Sequence, residues 1–333
     1  MIAVLWIGFI VFVLLMLALD LGVLNRKAHV ISTREALRWT GVCIGLALLF
    51  NVFVYFLYKN QWFDIGSAPG RTSDGKPAAV TFFTGYVIEL SPSMDNIFVI
   101  ALIFGYFGVP RIYQHRTLFW GIVGALVMRG AMIYAGTALI DRFDWVIYVF
   151  GALLLFTAGK MAFADSGHVE PERNPLVRLA RRMYPVTRDF EGEKFFTRLD
   201  GKRAITPLFL VLLVIESTDV LFAIDSIPAI FAITTDPFIV FTSNVFAIIC
   251  LRSMFFALAG MMDRFRYLKI SLIIILTYVG LKMTVGHYLK EHHHVEIPTL
   301  VSLVFICLTL AGGMLASVKI PPRPPSPATD GPE

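Results

Sequence analysis

Five acidic residues stand in stretches of chain that are otherwise apolar: Glu89 and Asp95 in one, Glu216, Asp219 and Asp225 in another. The two stretches repeat a pattern. Glu89-Leu-Ser-Pro-Ser-Met-Asp95-Asn96-Ile97 lines up with Asp219-Val-Leu-Phe-Ala-Ile-Asp225-Ser226-Ile227, so each carries an acid six residues before an Asp that a small amide or hydroxyl residue follows. Ionised groups at membrane depth are costly unless they are paired, hydrated or coordinating something, so a duplicated acidic pair there points to a cation pathway. Carboxylate, amide and hydroxyl oxygens without Cys or His favour Mn²⁺, Mg²⁺ or Ca²⁺ over Zn²⁺ or Cu⁺. By type and spacing, Glu89, Asp95, Asp219 and Asp225 are the candidate metal ligands. Glu216, Ser91, Asn96 and Ser226 can supply further oxygens or orient the ligands, and Asp20, Asn51 and Asn244 can line the approach. The competing reading is that the acids neutralise Arg129 and Arg252, which lie in apolar runs of their own, as ion pairs that only fix helix packing. Two arginines cannot balance all of these carboxylates, although for each arginine structural pairing and gating both stay open.

The elements that position these groups are legible in the composition. Of the 333 residues 57% are hydrophobic and 16% charged, with a mean hydropathy of +0.72. That is the balance of an all-α polytopic membrane protein, not of a soluble domain. Measured against the roughly 20 residues that cross the hydrocarbon core, the apolar runs predict nine spans, at 2–24, 37–58, 78–107, 117–139, 144–164, 205–234, 237–261, 267–289 and 297–317. The amino-terminal run has neither a basic region before it nor a small-residue cleavage site, and reads as a first span. Cys43, Cys250 and Cys307 fall inside spans without CxxC spacing and read as filler. The aromatics, 14% of the chain, read mainly as lipid-facing or interfacial surface. The net charge of +5 implies orientation in a membrane, not nucleic-acid binding: loops on the amino-terminal side carry five basic residues and the opposite loops and tail twenty. The expectation is an amino terminus outside and a carboxyl terminus in the cytoplasm.

A second set of landmarks repeats. Arg129, Asp141-Arg142-Phe143 and Lys160-Met161 recur as Arg252, Asp263-Arg264-Phe265 and Lys282-Met283. Two spans (1–58) therefore precede one repeat of three spans (78–164), a charged cytoplasmic connector (165–204), a second repeat (205–289), a last span (297–317) and a Pro-rich tail (318–333) expected to be extended or disordered. Three spans per copy make the copies enter the membrane from opposite sides, the inverted-repeat arrangement of many secondary transporters. Six residues of unbroken helix advance about 9 Å and turn about 240°, so convergence of Glu89 and Asp95 on one ion requires local unwinding, for which Pro92 is placed. Lys160 and Lys282 read as snorkelling side chains. His292, His293 and His294, with Glu291 and Glu296, read as a solvated outer loop.

These strings resemble the TerC family of integral membrane proteins. The resemblance rests on Gly85 through Ser91, Asp95-Asn96-Ile97-Phe98-Val99, Thr206-Pro207-Leu208-Phe209, Ser217-Thr218-Asp219 and Phe222 through Ile230. Leu19-Asp20-Leu21-Gly22, Phe241-Thr242-Ser243-Asn244 and Leu251-Arg252-Ser253 extend it over nearly the whole chain. It is closest in kind to the manganese-exporting, Alx-like branch, related to the LysE transporter superfamily. The resemblance implies bacterial inner-membrane efflux of Mn²⁺ as the transported substrate, with Glu89, Asp95, Glu216, Asp219 and Asp225 handling the ion, no prosthetic group and no enzymatic reaction. Proton exchange would follow if the carboxylates re-protonate when the metal leaves. The family's label of tellurium resistance would be indirect, because an acidic pathway repels an oxyanion. Pro92 departs from the apolar residue expected there. Paired aspartates also describe intramembrane proteases, but the chain has no Gly-x-Gly-Asp. A membrane partner that delivers metal to exported proteins or scaffolds a stress-response complex is the alternative, and transport does not exclude it.

Overall fold

A computed structural model describes residues 1–19, 31–65, 74–163, 174–199, 201–258, 267–286, 288–289 and 298–319, the side chains of Met94, Asp95, Leu268 and Val318 excepted. Asp20, the 291–296 histidine loop, Asp263-Arg264-Phe265, the first part of the connector and the Pro-rich tail lie outside the described residues. The apolar runs are helices, as a backbone without water to bond must be. In chain order they are α1 (Ile2–Leu19), α2 (Thr33–Lys59), α3 (Gly75–Tyr106), α4 (Arg111–Arg142) and α5 (Val146–Phe163), then a short α6 (Pro175–Met183), α7 (Pro207–Phe231), α8 (Pro237–Leu258), α9 (Leu268–Leu281) and α10 (Thr299–Lys319). A π turn at Lys282–Gly286 extends α9. Among the described residues, nine of these helices are long and apolar enough to cross a membrane, all but α6. The chain is an all-α polytopic membrane protein.

Helix α8 is the interior of the bundle, with 72% of its span buried. It packs on α2, α3 and α4; α3 also packs on α7, α4 on α7, and α5 on α9. Its start is fixed by Asp236, whose Oδ1 accepts hydrogen bonds from the Phe238 and Ile239 amides while Oδ2 accepts one from the Tyr58 hydroxyl at 2.8 Å. That buried acid is thus a helix cap held by α2. Where α1, α2, α3 and α8 meet, the filling is aromatic: Phe50 and Phe246 have ring centroids 4.8 Å apart, Phe9 and Phe50 5.3 Å, and Trp6 and Phe238 5.4 Å. Many aromatics expected at the lipid surface therefore build the core, where close ring packing adds to area burial.

One local expectation changes. Helix α3 runs unbroken through Pro92, so the unwinding expected there is absent and Glu89 and Asp95 remain almost two turns apart. The Ser93 hydroxyl donates to the Glu89 carbonyl at 2.8 Å, an extra bond for the helix beside the donor that proline lacks. The described part of the connector holds regular structure of its own. Asn174 caps α6 by accepting from the Leu176 amide at 2.9 Å, with Pro175 at the first helical position. An antiparallel hairpin, β1 (Phe196–Leu199) and β2 (Lys202–Ile205), then leads into α7.

Candidate functional site

Four helices of the bundle each send one polar side chain to a common point. Glu89 comes from α3, Arg129 from α4, Asp219 from α7 and Asn244 from α8; Glu89 and Asn244 are each 1% exposed and Arg129 3%. The Arg129 guanidinium grips Asp219 with a fork, Nη2 to Oδ1 at 3.1 Å and Nε to Oδ2 at 3.2 Å. Its Nη1 pairs with Glu89 Oε1 and also donates to Asn244 Oδ1 at 3.2 Å. Asn244 closes the ring by donating from Nδ2 to Glu89 Oε2 at 3.1 Å. Two carboxylates thus face one guanidinium in a nearly dry interior. Removing a single partner from such a network leaves an uncompensated charge.

The remaining acids lie along α7. Asp225 accepts a hydrogen bond at Oδ1 from the Thr157 hydroxyl of α5 at 2.8 Å, and Lys160, one turn further along α5, acts on the same carboxylate. Glu216 lies against Gly124 of α4 so closely that a Cβ there would overlap its carboxylate. Glycine at 124 is what allows that approach. Lys282 reaches the Ser302 hydroxyl of α10 at 2.9 Å. The side chain of Asp95 lies outside the described residues.

Several buried oxygens of the bundle have no hydrogen-bond partner among the described residues. Most Ser and Thr hydroxyls in these helices donate back to a carbonyl one turn earlier, as Thr84, Ser217, Thr218, Thr242 and Ser243 do. Ser91 Oγ and Ser226 Oγ do not. They are buried without a hydrogen bond among the described residues, as are Asn51 Oδ1 and Asn96 Oδ1. A buried polar atom left unsatisfied costs about 1–3 kcal/mol, so each of these oxygens calls for a water or an ion. One space for such a guest is a cavity of ≈ 30 Å³ whose polar lining is Asn96, Thr218, Asp219 and Arg252, room for a water molecule or a small ion.

The structure therefore brings Glu89 and Asp219 together, around Arg129 and Asn244, and holds Asp225 separately on Thr157. Among the described residues no three of His, Cys, Asp and Glu gather as a ready nest for a metal ion. Sequence reasoning overlooked Thr157 and Gly124. A hydroxyl inside an apolar span was the available signal for the first; the second had none, because α4 holds several glycines.

A polytopic helical bundle with a charged network buried among its spans defines the class: an integral membrane protein whose interior is built around ionisable groups. The chain belongs to the integral membrane protein TerC family, whose model matches residues 74–323. An uncharacterized membrane protein of Myxococcus xanthus, STKORF319, is 47% identical over 329 residues, 99% of this chain and 96% of that one. A Salmonella typhi protein named as a candidate membrane-bound redox modulator, Alx, is 44% identical over 308 residues, 92% of each chain. Its namesake in Escherichia coli K12 is 44% identical over 307 residues, again 92% of each. No solved structure matches the chain significantly.

Proposed function

We propose that this protein is a secondary transporter, not an enzyme, and that it exports a divalent cation, Mn²⁺ before Ca²⁺ or Mg²⁺, across the bacterial inner membrane in exchange for protons. The observation that carries the reading is that corresponding positions of the two sequence repeats behave alike. Glu89 and Asp219, the leading acids, bind the same guanidinium. Asn96 and Ser226, which follow the trailing acids Asp95 and Asp225, both present buried oxygens without a partner among the described residues. The packing of α3 and α4 on α7 and α8, and of α5 on α9, also suits two copies meeting about a pseudo-two-fold axis.

In this reading Arg129 is a resident counter-ion, standing between the carboxylates in the state that carries no metal. An arriving cation engages Asp219 from the small cavity, with Asn96 and the Thr218 hydroxyl as neutral oxygens, and displaces the guanidinium. Asp95, Asp225 and Glu216 hold the ion before or after that step, while Ser91, Asn51 and Asn244 line its way. Arg252, at the cavity wall, sets the local potential. Proton exchange follows if the carboxylates re-protonate when the metal departs.

Purified protein in liposomes, loaded with a metal-sensitive dye and subjected to an imposed pH gradient, tests this. Mn²⁺ is expected to cross faster than Ca²⁺ or Mg²⁺, and to carry protons the other way. No flux from purified protein, together with a stoichiometric partner in the preparation, supports instead the second reading, a membrane subunit that assists metal delivery.

A further inference from the structure

The connector between α5 and α7 carries a feature that transport does not use. Arg198 of β1 and Arg203 of β2 are direct cross-strand partners, and like charges placed opposite each other destabilise a hairpin. Neither guanidinium has an ion pair among the described residues, and two acids of the adjoining loop, Glu191 and Glu193, are engaged elsewhere. Glu193 is held by Arg116 of α4 at 2.9 Å, and Glu191 accepts from the Thr197 hydroxyl. The two arginines line an open groove of ≈ 640 Å³ together with Lys194, Tyr184, Phe196 and Thr197. Three cations thus border one space that no acidic side chain lines among the described residues.

The groove lies where a bilayer surface would be. Strand β2 ends at Ile205, two residues before α7 begins at Pro207, and the Phe196 ring packs at a tilt against Phe209 in the first turn of that span, with centroids 4.7 Å apart. The ledge is anchored: the Thr187 amide donates to the Ile205 carbonyl at 3.0 Å, and the Ile205 amide to the Pro185 carbonyl at 2.9 Å. Beside it, α6 buries Val177 and Ala180 while exposing Leu176, Leu179 and Met183. These three form one stripe at helical spacing that leads towards Tyr184 at the groove. Phe196 is itself 60% exposed. Apolar side chains bared next to unpaired cations at a span entrance fit an interfacial surface better than open water.

We infer that this groove binds the headgroup of an anionic phospholipid. The phosphate lies between Arg198 and Arg203, whose planar forks match phosphate oxygens, with Lys194 as a further cation. The acyl chains follow Phe196 and the exposed stripe of α6. Binding relieves the cross-strand repulsion and pins the connector between the two repeats to the bilayer.

Native mass spectrometry of the full-length protein, exchanged into detergent with equal phosphatidylglycerol and phosphatidylethanolamine of matched chains, tests the inference. Phosphatidylglycerol is expected to be retained in preference, and the Arg198→Gln/Arg203→Gln variant to lose about 10- to 30-fold of that preference, the effect of two basic groups at an anionic surface. The lipid-free variant should melt no lower than the parent, because the opposed charges are gone. Arg198→Lys/Arg203→Lys should recover only part of the preference, keeping charge without the fork. Equal retention of the two lipids, or an unchanged preference in the glutamine variant, overturns the proposal. So does displacement of the lipid by millimolar glycerol 3-phosphate, which would mark a site for soluble phosphate.

Discussion

Replacing Arg129 with glutamine should destabilise the protein by about 3–5 kcal/mol, the range for removing one partner from a buried ion pair. Glu89 and Asp219 both bind that guanidinium. Lysine at 129 should recover part of the loss by restoring charge, but not the fork on Asp219. The sharper comparison is the neutral triple variant, Glu89→Gln with Arg129→Gln and Asp219→Asn. Removing all three charges together spares the uncompensated carboxylates, so the triple should unfold later than Arg129→Gln alone. Denaturant or thermal unfolding in detergent checks the order. Arg129→Gln as stable as the parent would mean that the network contributes nothing to the bundle.

The second large effect concerns transport. Asp219→Asn and Asp225→Asn keep size and much of the hydrogen bonding but remove a charge from each of two positions on α7. If both carboxylates handle the ion, each variant, shown to be inserted and folded, should slow Mn²⁺ flux in liposomes at least about tenfold, the lower end of what losing a group near a metal costs. Thr157→Val separates the roles, because it removes a donor to Asp225 without touching charge. It should alter the apparent affinity for Mn²⁺ more than the maximal rate. Parental rates in both asparagine variants would remove these acids from the pathway.

The spans were readable because the requirement is simple: about 20 apolar residues and no unsatisfied backbone. All nine predicted runs appear as helices among the described residues, though α4 reaches Arg111 and Arg142, beyond the 117–139 expected for it. The pairing of acids with Arg129 was visible only as a competing possibility. It joins Arg129 to Glu89 of the preceding helix and to Asp219, 90 positions away, and no spacing rule reaches that far. Pro92 misled because sequence shows the missing donor but not that α3 continues through it, with the Ser93 hydroxyl bonded to the Glu89 carbonyl. The hairpin was hidden for a similar reason. Its strands are only four residues each and read as part of a charged linker until the contact of Phe196 with Phe209 is known. Asp236 could have been anticipated as a cap from the proline that follows it.

The central claim is that a divalent cation and Arg129 compete for the same carboxylates. A structure of the protein in lipid with Mn²⁺ bound, its position fixed by the anomalous signal of the metal, tests this most directly. The ion is expected within about 2.0–2.6 Å of an Asp219 oxygen, the range for hard cations on carboxylates, with the Arg129 fork opened beyond hydrogen-bonding distance. A bound ion elsewhere in the bundle, with Arg129 still clasped between Glu89 and Asp219, would contradict it.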